Sequence, residues 1–60
     1  MYRVEITLQY TGMNELHFFN TLKEANDFLI SKGYFYDSGD DVSDLWVFSQ
    51  FIFAEVTLAN

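Results

Sequence analysis

Four carboxylates in eight positions (Asp37, Asp40, Asp41 and Asp44) and one imidazole, His17, are the side chains here whose types invite chemistry. Hard cations take oxygen ligands at alternating positions, and Asp37, Gly39 and Asp41 alternate in that way. The likeness to a calcium loop goes no further. The third position is Gly39, the sixth, where a turn glycine belongs, is Val42, and the twelfth, where a bidentate glutamate belongs, is Phe48. The sequence therefore reads as a polar loop over residues 37–44 whose acids form a patch for a basic partner, with no metal or cofactor.

Catalysis has as little to stand on. His17 lies beside Phe18 and Phe19 in an apolar run, with no nucleophile or acid at a spacing that would use it. Asp40 and Asp41 are adjacent in a polar stretch, not in an apolar pocket that would raise one of their pKa values for acid–base work. With no cysteine there is neither a disulfide framework nor a thiolate metal site, and one histidine does not make a zinc site. The expectation is a non-enzyme.

Charge narrows the partners. Nine acids against three basic residues give a formal charge of −6, which repels phosphates and argues against direct nucleic-acid binding. The same charge suits a basic protein or a basic groove. In a second reading, Glu24, Asp27, Asp37, Asp40, Asp41 and Asp44 imitate phosphates and occupy a DNA-binding groove, the strategy of small acidic phage inhibitors. The N-terminus lacks a basic region followed by an apolar one, and no apolar stretch reaches the roughly 20 residues of a membrane helix, so a cytoplasmic protein is expected.

These side chains must be positioned by few elements, because sixty residues make one domain, residues 1–60. Tyr2, Val4, Ile6, Leu8 and Tyr10 alternate with Arg3, Glu5, Thr7 and Gln9, which predicts a strand. Gly12 and Asn14 then offer two positions able to take positive φ, before the run Leu16–Phe19, so a β-hairpin follows. In that hairpin Leu16 and Phe18 are expected on the face of Val4, Ile6 and Leu8, with His17 and Phe19 on the reverse. Thr21 and Glu24 form a capping box, Leu22, Ala25, Phe28, Leu29 and Lys32 share one helical face, and Gly33 sits where a left-handed residue ends a helix. A helix over Leu22–Lys32 results. Its outer face carries Lys23, Asn26, Asp27, Ile30 and Ser31, and Tyr34–Tyr36 reads as a short strand.

The C-terminal stretch Leu45–Leu58 holds ten apolar residues in fourteen. By alternation Trp46, Phe48, Ile52, Ala54, Val56 and Leu58 point one way and Leu45, Val47, Phe51 and Phe53 the other, so both faces are apolar. Extended, fourteen residues span about 46 Å, whereas a 60-residue domain is about 27 Å across. The chain must break near Ser49–Gln50. Because neither residue favours positive φ, a bend or bulge is expected there and not a hairpin.

The fold class is thus α+β: an N-terminal β-hairpin, one helix on one face of a small antiparallel sheet, and one or two C-terminal strands, in the order ββαβ(β). One helix covers one face of a sheet, and twelve aromatics leave a surplus for the other. A homodimer through that second face is expected, with Trp46, Phe48, Phe51 and Phe53 as interface residues.

Overall fold

The computed structural model describes residues 1–59. Its elements in chain order are β1 (Tyr2–Leu8), β2 (Met13–Phe19), α1 (Leu22–Ser31), β3 (Phe35–Gly39), β4 (Ser43–Ser49) and β5 (Ile52–Leu58). The five strands form one antiparallel sheet in the order β2-β1-β5-β4-β3, and α1 crosses a single face of it on the way from one edge strand, β2, to the other, β3. The α+β class stands, but the order is ββαβββ and not ββαβ(β); the added strand, β3, contains Phe35 and Tyr36 of the short strand expected at Tyr34–Tyr36.

The two outermost segments of the sequence meet at the sheet's centre. β1 pairs with β5 from Tyr2–Leu58 to Leu8–Ile52 without a break, and the pairing continues past both ends through Ala59 N–H to Met1 O at 2.8 Å and Gln9 N–H to Phe51 O at 2.9 Å. The face under α1 carries Val4 and Ile6 from β1, Ala54 and Val56 from β5, and Trp46 from β4, all buried with Ala25 and Leu29 of the helix. These seven residues are the core.

Helix α1 starts and stops where its sequence directs. Glu24 N–H donates to Thr21 Oγ1 and Thr21 N–H to Glu24 Oε1, each at 3.1 Å, so two amides with no partner inside the helix are satisfied. At the other end Tyr34 N–H reaches Leu29 O and Gly33 N–H reaches Ile30 O, both at 3.0 Å, with Gly33 at φ 92°. Lys32 is the C-cap and not part of the last turn. Its Nζ sits 5.7 Å from the Phe28 ring, so its role there is a cation–π contact. Leu22, expected on the buried face, stays largely at the surface. Because a Cβ at Gly33 would lie 3.4 Å from Phe48, an ordinary contact, the backbone decides the outcome there: Gly33→Ala is expected to lower stability by about 1–2 kcal/mol in urea denaturation, the cost of a left-handed L-residue.

Three local expectations need correction. In the first hairpin β1 ends at Leu8, Tyr10 lies in the turn, Gly12 alone takes positive φ, at 70°, and Asn14 is already in the strand. The register sets Tyr2 opposite Phe19, Val4 opposite His17 and Ile6 opposite Glu15. Residues directly opposite share a face, so His17 and Phe19 lie under the helix while Leu16 and Phe18 are on the open side, the reverse of the expectation. The sequence Met13-Asn14-Glu15-Leu16-His17-Phe18-Phe19 does not alternate, so its parity is set only by the turn before it.

In the second, residues 37–44 are not one loop. Asp37, Ser38 and Gly39 belong to β3, with a bulge between Tyr36 and Ser38, and the connection to β4 is only Asp40–Val42. In the third, the C-terminal stretch is a hairpin after all. β4 and β5 pair from Ser43–Thr57 to Val47–Phe53, then shift register so that Ser49 meets Ile52. Among the described residues no non-glycine has positive φ, so Gln50 and Phe51 turn without it, and the extra β4 residue, Phe48, absorbs the mismatch in twist as a bulge. The molecule measures 29 × 21 × 19 Å, too short to hold fourteen residues in one extended strand.

Candidate functional site

The face of the sheet away from α1 is uncovered, and the register gives its map. One row runs Asn14, Thr7, Phe53, Val47, Phe35 across β2, β1, β5, β4 and β3; the next runs Leu16, Glu5, Glu55, Leu45, Ser38; a third runs Phe18, Arg3, Thr57, Ser43. Apolar side chains therefore flank a polar stripe. Leu16 and Phe18 lie on one flank, each 53% exposed, and Phe35, Leu45, Val47 and Phe53 on the other, with Phe35 74% exposed.

Within the stripe the charges are incompletely paired. Glu5 and Glu55 stand directly opposite each other, a destabilising arrangement for like charges. Asn14 Nδ2 donates to Glu5 Oε2 at 2.8 Å, which relieves part of it. Arg3 shares this face, yet among the described residues it forms no ion pair, and its Nε is buried without an acceptor. A buried donor left unmade costs free energy, so this face is electrostatically unfinished in a single chain.

The four expected interface residues do not share one surface. Trp46 is buried in the core under α1, and Phe48 packs on Tyr34 with ring centroids 5.2 Å apart, on the helix side. Phe51 is in the β4–β5 turn, where its ring meets Tyr10 at 4.5 Å. Only Phe53 lies on the open face. Leu16, Phe18, Phe35, Leu45 and Val47 join it there; the Leu45 and Val47 parity was visible in the alternation, but Leu16, Phe18 and Phe35 depended on register.

The acidic residues divide as well. Asp40, Asp41 and Asp44 line a hollow of about 200 Å³ at the N-terminal end of α1, whose apolar walls include Tyr2, Leu22 and Val56, and Asp37 stands at the β3 bulge outside it. Gly39 makes room for this arrangement, since a Cβ there would meet Asp44 Oδ1 and the Tyr36 hydroxyl. Asp40 Oδ1 accepts from Val42 N–H at 2.8 Å and Ser43 N–H at 2.9 Å. The Ser43 amide first, and Val42 second, hold its carboxyl below the ordinary 3.8. A depressed carboxylate pKa stabilises the folded turn above the unfolded value, and that contribution is lost as pH falls through the folded value. In an NMR titration the Ser43 amide is accordingly expected to shift with a midpoint below 3.8. Among the described residues no group of three or more His, Cys, Asp or Glu is placed to hold a metal ion.

A third feature escaped sequence reasoning. Between the C-terminal half of α1 and the sheet lies a cleft of about 310 Å³, floored by Ile6, Leu8 and Ile52 and walled by Phe28 and Phe48. Glu15, His17, Lys32 and Tyr34 also line it. His17 stacks on Phe28 at 4.8 Å and its Nε2 is 3.4 Å from Glu15 Oε1. Burial, and next the charge of Glu15, push the Tyr34 hydroxyl above its ordinary pKa, so it remains a protonated donor at neutral pH. The apolar floor was legible; that His17 would reach it was hidden by the parity of β2.

Among the described residues no helix is long and apolar enough to cross a membrane. No protein-family model, no curated protein and no solved structure matches this chain.

Proposed function

We propose that this chain is a small acidic, non-catalytic protein-interaction module that forms a homodimer by stacking the open faces of two sheets. The observation that carries it is the set of six apolar side chains, Leu16, Phe18, Phe35, Leu45, Val47 and Phe53, on a face that none of the described residues covers. A dimer axis through the polar stripe makes the contact isologous and sets Arg3 of each copy against Glu5 and Glu55 of the other. That supplies the missing acceptor of Arg3 and relieves the facing glutamates at once. A five-stranded face, four strands of seven residues and one of five, covers about 500 Å² per copy, near the lower limit for a specific interface, so association in the micromolar range is expected. Sedimentation equilibrium of the wild type and of a variant charged at the centre of the apolar flank, Val47→Glu, tests this reading.

In this reading the β3–β4 turn, with Asp40 and Asp41, remains free for a basic protein partner. Imitation of phosphates has less in its favour: Asp40 is engaged by its own turn, and Asp27 is held by Lys23 at 2.7 Å.

A further inference from the structure

β2 is the longer and more regular of the sheet's two edges. Its seven residues pair with β1 in unbroken register, with no bulge, no proline and no lysine or arginine. Natural edge strands are blunted by such devices because unpaired backbone groups template the addition of another strand. The other edge, β3, is shorter, is bulged at Asp37 and carries that acid at the bulge. β2 carries one charge, Glu15 on the helix side, and is the longer and less protected of the two edges.

The sequence of β2 also complements itself. An antiparallel partner centred on Leu16, the middle residue of Met13–Phe19, sets Leu16 opposite Leu16 of the second copy, Glu15 opposite His17, Asn14 opposite Phe18 and Met13 opposite Phe19. On the helix side this brings two Glu15–His17 pairs and two methionine–aromatic pairs together; on the open side two leucines meet. Within one chain Glu15 and His17 already touch at 3.4 Å, so the second copy completes a four-membered alternating cluster. A shift of the axis by one residue to either side would break every one of these matches.

We propose that β2 pairs antiparallel with β2 of a second copy about a twofold axis at Leu16, joining two sheets into one of ten strands. This contact differs from the stacking of open faces, because it uses backbone groups of the edge and, although Leu16 belongs to both, leaves Val47 and Phe53 untouched.

The chain has no cysteine, so introduced thiols test the register. Opposed residues have Cβ atoms about 5 Å apart and can form a disulfide after a small adjustment, whereas a thiol at position 14 or 18 would be about 13 Å from its mate. Under mild oxidation Leu16→Cys is expected to form a covalent dimer at least about tenfold faster than Asn14→Cys or Phe18→Cys, and equally fast when Val47→Glu is also present. Equal rates at the three positions, or no crosslinking at Leu16→Cys, would overturn the proposal. As a second arm, His17→Glu sets carboxylates against carboxylates and is expected to raise the edge-contact Kd about tenfold, and Glu15→Lys combined with His17→Glu to restore it. A double variant that folds but stays as weak as the single one would count against the pairing. Retained crosslinking at Leu16→Cys in the Val47→Glu background, where the open faces no longer stack, distinguishes the two contacts.

Discussion

Replacing Leu29 with alanine is expected to leave a large fraction of the chain unfolded at 25 °C. Leu29 and Val4 are the largest fully buried side chains, and Leu29 is the residue through which α1 holds the centre of the sheet. Truncating a buried leucine costs about 2–5 kcal/mol, the removed methyl groups and the residual cavity together. A domain of this size has about 3–9 kcal/mol in all, at 0.05–0.15 kcal/mol per residue, so the loss is comparable with the whole. Urea denaturation should show the midpoint falling steeply or the pre-transition baseline vanishing. Ile30→Ala, one position along on the outer face and 60% exposed, should move the midpoint by an amount near zero. Equal losses at the two positions would mean that the helix does not pack by its Ala25–Leu29 face.

The second large effect separates association from folding. Val47 is half-buried on the open face of β4, opposite Phe53 and Phe35, and contributes nothing to the seven-residue core. In a dimer of stacked faces it occupies the middle of the apolar flank on both copies, so Val47→Glu buries two unpaired carboxylates per dimer. The dimer Kd is expected to rise about 100-fold or more, as for loss of a central contact made twice. The far-ultraviolet circular dichroism should remain that of the wild type. Val42→Glu, equally apolar in origin but on the exposed β3–β4 turn, should leave association unchanged. If both variants weakened association alike, general repulsion between chains of charge −6 would be the cause, and the open face would lose its claim.

Much of the fold follows from local chemistry. Thr21, Glu24 and Gly33 each answer a backbone requirement within four residues, so the helix could be placed to within a residue at either end. Tyr2–Leu8 alternates cleanly, and so its two faces were assigned correctly. What could not be read depends on pairing. β2 lacks alternation, and the side on which His17 and Phe18 fall is decided by the four residues between Leu8 and Met13. β3 is exposed throughout; its start falls in the short strand read at Tyr34–Tyr36, but Asp37–Gly39 reads as loop because its partner, not its composition, makes it a strand. The hairpin at Gln50–Phe51 was missed because favoured turns need positive φ, whereas here the bulge at Phe48 supplies the adjustment instead. These same points scattered the expected interface: Trp46 and Phe48 were read correctly as one face, but which face the helix would cover is a tertiary fact. The acidic residues were legible as a group, yet their division into a hollow and an isolated Asp37 follows from the β3 bulge.

The stacked-face dimer is tested most directly by isotope-filtered NMR on an equimolar mixture of labelled and unlabelled chains. Through-space contacts between copies are predicted from the methyl groups of Leu45 and Val47 on one flank to Leu16 and Phe18 on the facing flank of the second copy, and they should vanish in Val47→Glu. Detection of intermolecular contacts from other surfaces alone, or of a monomer at concentrations far above the micromolar range, would contradict the account.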